Sequence, residues 1–141
     1  FHDLILPPNI AENQGFYYAV VMNIKITVGN TVLDAELFDT DLGKKIGQML
    51  PVEARPNRWG DEIYFSIPLD YSIKESVEEV EIGDLAYWPP GKAFCIFYGR
   101  TPVSSGEKPR AAGGVEVFGK ITGDAELLKQ ETGTAVVVEP E

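Results

Sequence analysis

The chain reads as a mostly β protein, an antiparallel barrel of seven or eight short strands plugged by two small helices. Three observations lead there. Apolar residues repeat with a period of two in several separate runs, the pattern of strands with one buried face. Turn residues, among them Gly29-Asn30, Gly60-Asp61, Gly83-Asp84 and Pro89-Pro90-Gly91, punctuate these runs at short intervals. The intervals are too short for repeated helical crossovers, which argues against a βαβ sheet. A length of 141 residues with 44% hydrophobic content supports one core.

Residues 1–15, with Pro7-Pro8 and Asn13-Gln14-Gly15, read as a loose N-terminal leader, and residues 16–141 as a single domain. Phe16, Tyr18, Val20, Met22, Ile24 and Ile26 alternate without a break, so a strand begins before Met22. Its exposed part, 16–22, is the one hint of an oligomer. Gly29-Asn30 makes a two-residue hairpin turn of the primed type. The returning strand has Leu33, Ala35 and Leu37 on one face and Val32, Asp34 and Glu36 on the other. Asp39-Thr40-Asp41 is a cap cluster, and the helical spacing of Leu42, Ile46, Met49 and Leu50 predicts a helix over 41–50 that Pro51 ends.

Val52 to Ala54 is extended, Pro56-Asn57 bends the chain, and Trp59-Gly60-Asp61 turns it into a strictly alternating run. In that run Ile63, Phe65 and Ile67 face the core, while Glu62, Tyr64 and Ser66 face away. Residues 69–76 are polar and irregular, and Val77, Val80 and Ile82 lead to the Gly83-Asp84 turn. Strands at Leu85 to Trp88 and Phe94 to Tyr98 flank Pro89-Pro90-Gly91, a corner whose prolines fix two φ angles and whose glycine releases the chain. The stretch 101–114 is a polar, glycine-rich loop expected outside the core. A strand at Val115 to Ile121, a short helix at Asp124 to Gln130 and a strand at Ala135 to Val138 complete the chain.

Twelve Lys and Arg against 22 Asp and Glu give a net charge of −10, a field that repels phosphate backbones and argues against nucleic acid and anionic membranes as partners. No apolar run reaches the ~18 residues of a membrane span. Cys95 is the single cysteine, so no intrachain disulfide forms and a reducing, cytoplasmic setting is expected. The single histidine, His2, stands at the very start, away from any nucleophile it would have to activate. Asp34, Glu36, Asp39 and Asp41 lack the glycine-bearing loop of a calcium hand, and no phosphate loop follows Gly113-Gly114, so neither metal nor cofactor is expected.

Trp59-Gly60-Asp61-Glu62-Ile63-Tyr64-Phe65 and Gly83-Asp84-Leu85-Ala86-Tyr87-Trp88-Pro89-Pro90-Gly91 resemble a prokaryotic cyclophilin-like family of small, largely uncharacterised proteins. Phe94 to Thr101 is similar to the central strand of cyclophilins, and Val117-Phe118-Gly119-Lys120-Ile121 to their Val-Phe-Gly-Lys-Val strand. The resemblance spans about residues 22 to 139. It implies a closed eight-stranded barrel with a helix at each end and a side groove that, in true cyclophilins, holds a proline-containing peptide. Isomerisation there uses an arginine hydrogen-bonded to the prolyl nitrogen, which weakens amide resonance. The apparatus is largely replaced in this chain: Val115 stands at the catalytic histidine's position and Cys95 at the phenylalanine flooring the proline pocket, and the lid tryptophan maps near Arg110.

The expected groove consists of Arg58, Glu62, Tyr64, Trp88 and Cys95. Arg58, or Arg55, is either the prolyl-nitrogen donor or a surface arginine offsetting local acid. Trp59 either flanks the groove or buries against the barrel end. Glu62 and Tyr64 either bond a ligand or form an ordinary solvated strand face, and Trp88 offers an aromatic platform beside a rigid corner or covers a barrel end. Cys95 alternates with Phe94 and Ile96, so its thiol points to the groove side, where it is reactive only if a cation lowers its pKa and otherwise packs as a small hydrophobe. The expected function is binding of a small molecule or peptide without strong catalysis, with weak peptidyl-prolyl isomerisation as the alternative.

Overall fold

Alternating burial folds the first long stretch onto itself. β2 (Phe16–Val28) and β3 (Thr31–Phe38) pair antiparallel through Val28 and Thr31, and Gly29 takes the turn's positive φ of 56°. Leu33, Ala35 and Leu37 point inward, and Ile24, Ile26 and Val28 meet them from β2. The computed structural model describes residues 6–141; His2 lies outside them.

Thr40 caps α1 (Asp41–Gln48) by accepting a hydrogen bond from the Gly43 amide at 3.1 Å, and Leu42 and Ile46 bury the helix against the sheet. The neighbouring carboxylates serve ion pairs: Asp39 with Lys44, and Asp41 with Lys45 and Lys74.

The remaining strands are β4 (Val52–Ala54), β5 (Asn57–Arg58), β6 (Glu62–Ser66), β7 (Val77–Glu79), β8 (Asp84–Trp88), β9 (Ala93–Phe97), β10 (Arg110–Ile121) and β11 (Val136–Pro140). Short 3-10 turns form at Pro89–Gly91 and Ala125–Gln130, the second capped by Asp124. The sheet runs β4-β11-β2-β3-β10-β8-β9-β6-β5, with the strand that precedes β2 and β7 attached at its sides.

The closed eight-stranded barrel does not form. The path ends at β4 and at β5 with no ladder between them, so the sheet stays open there. These edges are three and two residues long, and Pro56 between them has no N–H to give to a ladder.

The expected loose leader is partly a strand. β1 (Ile10–Asn13) pairs with Phe16 to Ala19 of β2 around a turn whose two central residues, Gln14 and Gly15, both have positive φ, 52° and 82°. Over Phe16 to Ala19, part of the stretch that suggested self-association, one edge of β2 is paired with the chain's own β1. The hairpin is fastened to the main sheet by polar contacts. Asn13 Nδ2 donates to the buried Asp84 carboxylate at 2.6 Å, the Glu81 amide donates to the other Asp84 oxygen at 2.9 Å, and Lys120 Nζ donates to the Glu12 carbonyl at 3.0 Å.

Asn13→Ala removes one of two donors from a carboxylate that is 1% exposed. The expected cost is about 2 kcal/mol, with hydrogen exchange accelerated first in β1. A urea titration unchanged by the substitution would detach this contact from stability.

The main core lies inside the curved sheet. Phe65 and Phe94 stack at 5.0 Å between ring centres, and Phe118 meets Phe94 edge-on at 4.9 Å. A second, smaller cluster lies on the outer face of β8 and β9, where Val80, Ala111 and Val115 cover Ala86, Ala93, Cys95 and Phe97.

Candidate functional site

Register decides which side chains meet outside the sheet. Glu62 lies opposite Phe97, Tyr64 opposite Cys95, Cys95 opposite Ala86, and Ala93 opposite Trp88. Directly opposed residues share a face, so all of these project outward, while Ile63, Phe65, Phe94, Ile96, Leu85 and Tyr87 project into the main core. The loop expected over 101–114 ends earlier: residues 101–109 are irregular, but β10 begins at Arg110, and Ala111 packs on the outer face at 4% exposure. Where this cover stops, a cavity of about 250 Å³ remains, lined by Trp59, Glu62, Tyr64, Trp88, Ala111, Ala112 and Val115.

Three of the five expected groove residues, Glu62, Tyr64 and Trp88, meet in this cavity. Cys95 is on the anticipated face but lies beneath the lining, 1% exposed, its Sγ 3.9 Å from the Ala93 carbonyl oxygen. Burial, and then the Glu62 charge beside it, push its thiol well above the usual range, which suits a packed small hydrophobe and not a nucleophile. Arg58 is elsewhere. It pairs with Ile63, which turns it to the opposite face, and its guanidinium donates to the carbonyls of Glu131 at 3.2 Å and Gly133 at 2.9 Å.

Trp59, Ala111, Ala112 and Val115 complete the wall. The run Ala111-Ala112-Gly113-Gly114 before Val115 has no alternation that would mark a strand, and the ladder is irregular between Arg110 and Val115.

Trp88 owes its place to the corner behind it. The positive φ there falls on Lys92, at 47°, and not on Gly91. Gly91 is needed for space: a Cβ on it would lie 3.1 Å from Cε3 and Cζ3 of the Trp88 ring. Ser66 Oγ donates to the Gly91 carbonyl at 2.9 Å and ties the corner to β6.

Glu62 is the charged side chain of the cavity. It is 6% exposed, and burial raises its pKa to about 7 against a smaller downward pull from the Cys95 thiol. No lysine or arginine pairs with it among the described residues. The arrangement can therefore accept a hydrogen bond or a positive charge from a guest inside aromatic walls.

Against known proteins, the model of the family described as Cyclophilin-like matches residues 22–139. The chain belongs to the cyclophilin-like family. The chain is also similar to the solution structure of the hypothetical protein AF2241 from Archaeoglobus fulgidus, with a TM-score of 0.71 and 38% identity, covering 86% of this chain and 96% of that one. A comparison with the curated proteins finds no match. Among the described residues no helix is long and apolar enough to cross a membrane. Val115 and Cys95 are both buried in the outer cluster.

Proposed function

We propose that this cyclophilin-like protein binds a small molecule, or one side chain of a peptide, in the cavity between Trp59, Tyr64 and Trp88, and that it catalyses no strong reaction. The observation that carries the reading is a mainly apolar cavity of about 250 Å³ with one buried carboxyl among its walls. That volume is slightly below the usual ligand-site range of roughly 300–1,000 Å³, so the guest is small. Weak isomerase activity draws no support from this geometry, because Arg58 faces away from the cavity with its guanidinium on two loop carbonyls.

The test is a metabolite and dipeptide panel read by the indole N–H signals of Trp59 and Trp88, the two tryptophans of the chain. A guest in the cavity shifts both. Trp88→Ala weakens it at least about tenfold, roughly 1.4 kcal/mol. Gly91→Ala weakens it as well, by displacing the indole it would crowd at 3.1 Å. A protease-coupled prolyl-peptide assay is expected at the uncatalysed rate and unaltered by Arg58→Ala. An arginine-dependent rate would replace the binding reading with the isomerase one.

A further inference from the structure

We propose that the guest is a small organic cation, a protonated amine or a quaternary ammonium, held by the faces of Trp59, Trp88 and Tyr64 against the Glu62 carboxylate. This rests on the binding reading above and names the chemical class of the ligand.

Four observations converge on a positive charge. First, the cavity combines three aromatic side chains with one carboxylate, the composition that recognises ammonium groups through ring quadrupole and charge together. The three rings form no stacked or edge-on pair with one another, so they do not cover each other's faces. Second, Glu62 is buried without a cationic partner from the chain, and a buried carboxylate is costly until something compensates it. Third, the rings are not used by the protein's own cations: the lysine lying over an aromatic ring among the described residues is Lys74, over Tyr71. Fourth, a net charge of −10 attracts cations and disfavours anions at long range. The volume of about 250 Å³ equals roughly eight waters at ~30 Å³ each, room for an ammonium head with a short tail.

A pH signature follows from the groups around Glu62. β9 presents the Cys95 thiol and Phe97, the start of β10 presents Ala111, Ala112 and Val115, and the turn before β6 presents Trp59. Asp61 is turned toward Gly99, Arg58 faces the other side of the sheet, and Asp84 is engaged by Asn13 and the Glu81 amide. Titration near pH 7 at this site therefore belongs to Glu62. A cation binds the ionised form, so its affinity rises about tenfold from pH 6 to pH 8, while a neutral guest shows no such rise.

The experiment compares choline with 3,3-dimethyl-1-butanol, its uncharged isostere, by isothermal titration calorimetry at pH 6 and pH 8, with the indole N–H signals locating the site. At pH 8 choline binds at least tenfold more tightly than the isostere. Glu62→Gln, which conserves shape, removes that preference and the pH dependence. Trp88→Phe, which retains a smaller aromatic face, weakens choline more than the isostere. The cation assignment is overturned, with the binding reading intact, if the isostere binds as tightly as choline, or if neither binds while an uncharged or anionic panel compound shifts the indoles. Both fall if no compound moves either indole signal.

Discussion

Phe94→Ala lowers the free energy of unfolding by about 4 kcal/mol, measured by urea denaturation, and the melting temperature by roughly 12 °C for a chain of this size. Phe94 is 1% exposed on the inner face of β9. Its ring stacks on Phe65 from β6 and receives the edge of Phe118 from β10, so one side chain ties together three strands. Truncation leaves a void among large neighbours that cannot close without moving the strands that carry them. The same strand presents Cys95 outward beneath the cavity, so the substitution also loosens the cavity floor. Val103→Ala, at a site 48% exposed, serves as the control and stays within about 0.5 kcal/mol. A loss below about 1 kcal/mol for Phe94→Ala would mean that the aromatic centre does not organise the core.

What the sequence made legible was whatever period two decides locally. The inward sets Leu33, Ala35, Leu37 and Ile63, Phe65, and the outward placement of Glu62, Tyr64 and Cys95, follow from alternation alone and hold in the structure. What alternation cannot say is which distant segment covers a face. Cys95 points outward as expected, yet Val80, Ala111 and Val115 close over it, and they come from segments on both sides of it in sequence. Arg58 was misleading for a related reason. Its side depends on whether Asn57 or Arg58 opposes Tyr64, a register the Pro56 bend leaves undetermined, and the answer is Asn57. The β1 hairpin was hidden because Gln14 is an unusual occupant of a left-handed turn position, where asparagine or aspartate would have announced it. The opening between β4 and β5 depends on ladder bonds that two very short edges fail to make, a property of the assembled sheet and not of either segment. At the Trp88 corner the glycine was legible, but its reason was not: Gly91 yields room to an indole, and Lys92 takes the strained angle.

Glu62→Gln is expected to stabilise the unliganded protein at pH 8, by as much as about 3 kcal/mol. The carboxyl is raised by burial from 4.5 to about 7 in the folded chain, so the folded state binds its proton more tightly than the unfolded state does. Between those two values the unfolded chain releases the proton first, and stability falls as pH rises through the window. The difference between these two values corresponds to roughly 3 kcal/mol, fully present as a penalty above pH 7 and absent below about pH 4.5. Asp84, raised by burial from 3.8 to about 6, adds a penalty of the same sign over its own range. Wild-type stability should therefore climb as pH is lowered from 8 to about 5. The Glu62→Gln profile should be flat above pH 6 and retain only the slope that Asp84 contributes below it. Denaturant midpoints measured across this range give the answer directly, and a wild-type profile flat between pH 6 and 8 would show that Glu62 is not held in a desolvated state. A guest that compensates the Glu62 charge would offset this cost. If the guest is a cation, its stabilising effect must be larger at pH 8 than at pH 6, the reverse of the trend in the free protein, because the ligand supplies the charge that the fold withholds.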